Sequence, residues 1–394
     1  MLQRIAEAAA RLQSAAEATF ALHLAGIEIS SRHLQRLARE IGGALAQQRD
    51  HKALQHRRRA LPARVATAPA VVAVEVDGGR LRTREVGCGP GVHQQQNKED
   101  KIACLVTLTS VVHPTDPQPQ PPPSFLEPRR VQRLVQQMQG LSGDKPQDES
   151  GQEDASLPPQ LEEASAERDS KPRRQVRTCV ASMADCHAFG PMLAAEAQER
   201  DFYPAGRRAF LGDGAAYNWG IQRGYFPDFE AITDFLHVLC YLYLAAWGVG
   251  ADEAQRWSVY VDWLGACWQG RVTEVIEALR IGQERLGEPP EGEDLDAKDP
   301  RRLVAEALSY LQNNAPRMDY PRYRQQGLPI TSSLVESLVG EFNARLKSRQ
   351  KYWNRPEGAE ALLQLRAAVL SEDDRLARFF AQRPGNPYRR RKAA

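Results

Sequence analysis

The sequence predicts an α/β fold in which helices flank a mixed sheet, and three observations carry that expectation. β-Branched apolar runs follow one another at 71–77, 80–86 and 102–112, separated by Gly-rich or polar turns. Two further runs, at 207–213 and around 229–235, alternate with segments of helical character. A long stretch rich in Ala, Leu, Glu and Arg opens the chain, with no proline before Pro62. Short β-branched runs bounded by turn residues mark strands, and proline-free Ala- and Leu-rich stretches mark helices.

In chain order, residues 1–65 form a helical region. Within it, Ala25-Gly26-Ile27-Glu28-Ile29-Ser30-Ser31-Arg32-His33-Leu34-Gln35-Arg36-Leu37 supplies a helix, a Gly turn, a Ser cap and a second, basic helix. That order fits a helix-turn-helix whose second helix, with Arg32 and Arg36, enters a DNA groove; a plain helical hairpin has the same signature. Residues 66–113 hold the first three strands. Residues 114–178 combine prolines, glutamines and an acidic run, with too little apolar surface to offset the entropy of ordering. A disordered insert is expected there, with a short helix near Pro128–Gly140.

Residues 179–249 return to the sheet domain, with a helix over about 181–201, the two later strands and an apolar helix from about 235 to 248. Residues 250–328 supply a helical insertion, broken by an acidic loop at 285–300. Residues 329–394 contain a helix at about 331–350, a last helix over about 357–381 and a basic tail. Pro356 suits the first turn of that last helix, and Ser371 with Glu372, Asp373 and Asp374 suits a break within it. Meandering strands followed by alternating helices and strands are the plan of a ribonuclease H-like fold.

Composition narrows the class. A net charge of +2 conceals basic ends, at 1–60 and 345–394, and acidic stretches at 144–170 and 285–299. Basic ends on a near-neutral body suit contact with a polyanion. The six cysteines form no CxxC pair, and Cys104, Cys240 and Cys267 sit in apolar surroundings as buried thiols do, the pattern of a reducing compartment. No apolar run reaches the length of a membrane span and the start has no signal-peptide core, so a cytoplasmic protein is expected, nucleoid-associated if its basic ends meet DNA.

Three separated carboxylates hold the chemically informative places. Asp77 closes Val71-Val72-Ala73-Val74-Glu75-Val76, Asp213 closes Ala209-Phe210-Leu211-Gly212, and Glu336 sits in the first turns of a helix capped by Thr331-Ser332-Ser333. Each alone is bland: an Asp before Gly is ordinarily a turn residue, and a single helical Glu is ordinarily solvated. Together, on strand one, after strand four and on a late helix, they suit two hard cations, Mg2+ or Mn2+, clamping a phosphodiester.

The segments Val74-Glu75-Val76-Asp77-Gly78-Gly79-Arg80, Leu211-Gly212-Asp213-Gly214-Ala215-Ala216-Tyr217-Asn218-Trp219 and Ser332-Ser333-Leu334-Val335-Glu336-Ser337 resemble the catalytic motifs of bacterial insertion-sequence DDE transposases, most closely the Kra-type group. Thr233-Asp234-Phe235-Leu236-His237-Val238-Leu239-Cys240-Tyr241-Leu242 and Lys351-Tyr352-Trp353-Asn354-Arg355-Pro356-Glu357-Gly358-Ala359-Glu360 are similar to further segments of that group. The resemblance implies that Asp77, Asp213 and Glu336 are a metal-binding triad that nicks and joins DNA at element ends, within a homo-oligomer. Similar proteins carry further upstream sequence, often with Cys pairs, and no such pairs stand here.

Other residues have weaker claims. Asp234 and His237, one helical turn apart, suit either support of the core near Asp213 or contact with metal or DNA. Arg345, Lys347, Arg349 and Lys351 with Tyr352 and Trp353 form a cationic, aromatic cluster suited to phosphates beside the metals. Tyr217, Trp219 and Tyr225, expected on a loop or strand edge, suit core packing or base stacking. Cys179, Cys186 and His187 lack a fourth zinc ligand. Two readings stand beside a transposase: a catalytically silent DNA-binding remnant, and a ribonuclease H-like nuclease.

Overall fold

The computed structural model describes residues 1–83, 96–142, 171–290, 295–331, 341–342, 345–346, 353 and 356–382. Their framework is one mixed sheet of β1 (Val71–Thr83), β2 (Gln96–Thr109), β3 (Arg173–Ser182), β4 (Arg207–Gly212) and β5 (Glu230–Thr233), in the order β3-β2-β1-β4-β5. β1, β2 and β3 pair antiparallel, whereas β1–β4 and β4–β5 are parallel. The α/β class is therefore as expected, but two strands lie elsewhere than predicted. β1 runs straight through Gly78-Gly79, where the sequence suggested a turn, because both glycines pair with Lys101 and Asp100 of β2. The third strand comes after the Pro-rich insert instead of before it.

The insert is itself corrected over its described part. Residues 114–127 are pinned rather than loose: Asp116 pairs with Arg324 at 2.5 Å, the Gln118 carbonyl accepts from the Trp268 indole at 2.8 Å, and the Phe125 carbonyl accepts from the Tyr260 hydroxyl at 2.9 Å. Then α4 (Pro128–Ser142) stands where a short helix was expected, with Val131, Val135 and Met138 buried. Proline restricts the chain before folding, so a few strong anchors suffice to hold such a segment.

Period-2 alternation gives the sheet two apolar faces. Val72, Val74 and Val76 of β1 and Phe210 of β4 meet α5 (Cys186–Glu199), through Phe189 and Leu193, and α6 (Ala216–Tyr225), through Trp219. Val71, Ala73, Ala209 and Leu211 face the larger core, which includes α7 (Phe235–Val249). The helical insertion supplies α8 (Glu253–Trp268), α9 (Val272–Leu286), α10 (Pro300–Asn314) and the short α11 (Tyr320–Gln325), and residues of all four join that core.

At the N-terminus α1 (Leu2–Arg11), α2 (Ala15–Leu24) and the 27-residue α3 (Ser31–Arg57) form as the composition suggested. Gly26 takes φ +75° in the turn, and the Ser30 side chain caps α3 by accepting from the His33 N–H. α3 packs so closely on α12 (Pro356–Leu370) that a Cβ on Gly42 would overlap the Ala361 carbonyl. The expected break follows at Ser371, before α13 (Arg375–Gln382). No helix among the described residues is long and apolar enough to cross a membrane.

Arg375 ties this C-terminal break to the sheet domain. Its guanidinium meets the buried Glu196 of α5 at 2.6 Å and Asp373 at 2.8 Å. Burial opposes charge on both carboxylates, but the Arg375 charge and hydrogen bond prevail and hold both below their ordinary range, Asp373 well below it. Depressed carboxylates contribute stability above the unfolded-state value of about 4 and lose it as pH falls. Arg375→Met leaves Glu196 buried without this partner, so a loss of about 3 kcal/mol is expected at pH 7. Urea unfolding checks it: the wild type weakens below about pH 4, and the variant's deficit shrinks there.

Candidate metal centre

The register of two parallel strands builds the site. β1 and β4 pair as Val74↔Phe210 and Val76↔Gly212, so one step further Asp77 and Asp213 come abreast. Alternation sends both side chains to the face of Ala73 and Leu211, toward the start of α7. Asp234 caps that helix through the Leu236 N–H, and His237 follows on the first turn. Ligand atoms of Asp77, Asp213 and His237 all lie within 4.8 Å of one another.

Each aspartate has one oxygen held by the protein. Asp77 Oδ1 accepts from the Gly78 N–H at 2.7 Å. Asp213 Oδ1 accepts from the Ala215 N–H and from Asn218 Nδ2, both at 2.8 Å. Among the described residues nothing donates to either Oδ2. Two carboxylate oxygens and one imidazole within one ion's reach suit a divalent cation that takes oxygen and nitrogen donors, as Mn2+ does; Mg2+ suits the carboxylates.

Electrostatics agree with a cation-accepting site. Burial pushes Asp77 up to about 6, with Asp213 and Asp234 adding to the rise while His237 and the Gly78 N–H oppose it. Burial also works against a charge on His237, yet its 2.8 Å bond to Asp234 and the charges of Asp234, Asp213 and Asp77 raise it to about 10. With no cation bound the imidazolium supplies part of the positive charge that the carboxylates require, and a cation that takes the imidazole nitrogen displaces its proton.

The helical insertion braces this loop. Tyr310 of α10 donates its hydroxyl to the Asp213 carbonyl at 2.8 Å, and Tyr241 of α7 stacks on the Tyr310 ring at 3.9 Å. Asn314 accepts from the Trp219 indole at 2.9 Å. Gly214 is required between them: its φ is +101°, and a Cβ would lie 2.5 Å from the Tyr310 ring. On the opposite face the Tyr217 hydroxyl sits over Gly78, 2.9 Å from where a Cβ would be.

Of the expected site residues, Asp77, Asp213 and His237 come together, with Asp234 behind His237. Glu336, Lys347, Arg349 and Lys351 lie outside the described residues. Arg345 is corrected: it is buried and donates to the Ala9 and Gln13 carbonyls at 2.9 and 3.1 Å, so it braces α1 instead of facing DNA. Trp353 is half-buried; its N–H bonds the Arg82 carbonyl at 3.0 Å and its indole that of Leu346 at 3.1 Å. Arg32 and Arg36 are exposed on α3. Tyr217, Trp219 and Tyr225 lie on α6, not on a loop or strand edge, and Trp219 is core. Asn218 stood in the sequence only as part of the Leu211–Trp219 segment, and Tyr310 and Asn314 carried no signal, since single polar residues on helices are ordinary.

The chain matches no protein-family profile and no curated protein.

Asp77 is costly without a cation, because its folded value near 6 exceeds the unfolded value near 4. A raised carboxylate pKa lowers stability as pH climbs from about 4 to 6 and leaves it low above that. Asp77→Asn should therefore stabilise the cation-free protein at pH 7.5 by up to about 2 kcal/mol, allowing for partial exposure. The same change should abolish the rise in melting temperature that Mn2+ gives the wild type. Melting curves with EDTA and with Mn2+ check both signs.

Proposed function

We propose that this chain is a DDE-type transposase with a ribonuclease H-like catalytic core, which nicks the ends of a mobile DNA element and joins them to target DNA. The observation that carries the reading is that Asp77 and Asp213 each follow the last β1–β4 pair by one residue and come together with His237 against them. The strand order β3-β2-β1-β4-β5, antiparallel then parallel, supports the fold assignment. Asp77 and Asp213 would hold the cations and Glu336 would complete the set. Bound divalent ions would lower the pKa of an attacking water or 3′-hydroxyl and stabilise the leaving oxygen.

The chain's own residues do the positioning. The Gly78, Ala215 and Asn218 donors fix the two carboxylates, and Tyr310 keeps the Asp213 loop from opening. Arg32 and Arg36, with Lys347, Arg349 and Lys351, would meet phosphates, and Asp234 would orient His237. Joining two ends calls for at least two copies of the chain, and the setting would be the nucleoid.

The test is strand cleavage and joining of end-containing DNA with Mg2+ or Mn2+. Asp77→Ala and Asp213→Ala should each lower cleavage by 10²-fold or more, roughly the loss seen when one charge-stabilising group is removed, while DNA affinity holds. Cleavage retained by either variant overturns the metal assignment. Wild-type binding without cleavage indicates a silent remnant, and hydrolysis of RNA–DNA hybrids without joining indicates a nuclease.

A further inference from the structure

At the far edge of the sheet from β5, two cysteines face each other in a geometry that the proposed nuclease chemistry does not use. Cys104 of β2 lies directly opposite Cys179 of β3. The backbone of β3 shows what type of pair this is. The Cys179 N–H donates to the Ser371 hydroxyl at 2.9 Å, away from β2. The Arg177 N–H likewise donates to the Glu372 carboxylate at 2.9 Å and its carbonyl accepts from the Glu372 N–H at 2.8 Å, and the Ala181 carbonyl accepts from Arg49 at 3.1 Å. Odd-numbered residues of β3 therefore point their backbone groups outward, and Cys104–Cys179 is a non-hydrogen-bonded pair. Such pairs bring Cα atoms to about 4.5 Å, the closest approach in an antiparallel ladder.

Both thiols are buried in the same core on one face of the sheet. Disulfides accept Cα separations down to about 4.4 Å, so a bridge needs only small shifts. A bridge there sits at the short limit of the ordinary range, and bridges pushed past that limit are the readily reduced ones. Cys186, Cys240 and Cys267 lie on α5, α7 and α8, with no partner across a ladder.

We propose that Cys104 and Cys179 form a reversible dithiol–disulfide site whose oxidant is hydrogen peroxide. A cavity of about 50 Å³, lined by Cys179, Arg375, Glu196, Lys52 and Gln364, admits a molecule little larger than water. Burial raises the Cys179 thiol, but the neighbouring Cys104 thiol, the Arg177 and Arg375 charges and Ser371 bring it below its ordinary value; Cys104 is held above its own, chiefly by burial. Cys179, which lines the cavity as Cys104 does not, is thus the sulfur that reacts first with peroxide. Its thiolate electron pair displaces hydroxide from the peroxide, breaking the O–O bond and leaving a sulfenic acid. The Cys104 sulfur then attacks the sulfenic sulfur, forming the S–S bond and expelling the hydroxyl as water with the Cys104 proton. In sum, two thiols and one peroxide give one disulfide and two waters. The bridge closes the chain between β2 and β3, α4 included, into a covalent loop.

The test treats the full chain with hydrogen peroxide, alkylates the remaining thiols after denaturation, and measures intact mass and linked peptides. The expected result is two unalkylated cysteines, loss of two hydrogen masses, a single linked peptide pair holding Cys104 and Cys179, and full reversal by dithiothreitol. Cys104→Ser and Cys179→Ser should each prevent the loss, and Cys186→Ser should not. Peptide mapping of the wild type decides the matter even where a variant misfolds. A bridge to any other cysteine, oxidation of Cys179 to sulfinic acid without a bridge, or no change at all overturns the proposal. None of these outcomes depends on DNA cleavage, so they leave the transposase reading to its own test.

Discussion

The architecture depends on the parallel pairing of β1 with β4, because that register sets two carboxylates side by side on one face of a sheet. Burial withholds water from Asp77, and the like charge of Asp213 beside it adds to the cost of ionising, which is why Asp77 sits near 6. A structure tolerates such a pair only with positive charge at hand. His237 provides some of it, and Asp234 behind that ring holds it charged far above its ordinary range. A divalent cation would complete the compensation, so the strain in this corner is also its capacity to bind.

Rigidity around the pair comes from elements remote in the chain. The insertion sends Tyr310 and Asn314 of α10 back onto the Asp213 loop, nearly one hundred residues away in sequence. Arginines staple the two ends of the chain together: Arg345 and Arg366 donate to carbonyls of the α1 region, and Arg11 donates to the Val369 carbonyl. Part of the basic character of the termini is therefore structural. Among the described residues, exposed cations such as Arg32 and Arg36 stay free of such bracing roles.

Much of this was legible before any coordinates, and the misses have physical causes. Asp77 and Asp213 stood out because each closes an apolar run that demands burial. The Asp234–His237 spacing of one helical turn was visible too, although its place beside the aspartates depends on how α7 packs. Gly78-Gly79 resembled a turn, yet glycine serves there to admit the Tyr217 hydroxyl against a continuous strand. β3 was hidden because Arg173, Arg174 and Gln175 open it on the exposed edge, without the apolar alternation of a half-buried strand. Arg345 read as a surface cation, because sequence shows charge but not which carbonyls a guanidinium will meet.

Anomalous diffraction from crystals soaked in Mn2+ tests the central claim most directly. The account predicts a manganese peak between the Asp77 and Asp213 carboxylates, with oxygen ligands at the ~2.0–2.6 Å range of hard divalent cations. A map with no peak there, or with manganese bound only at other carboxylates, would contradict it.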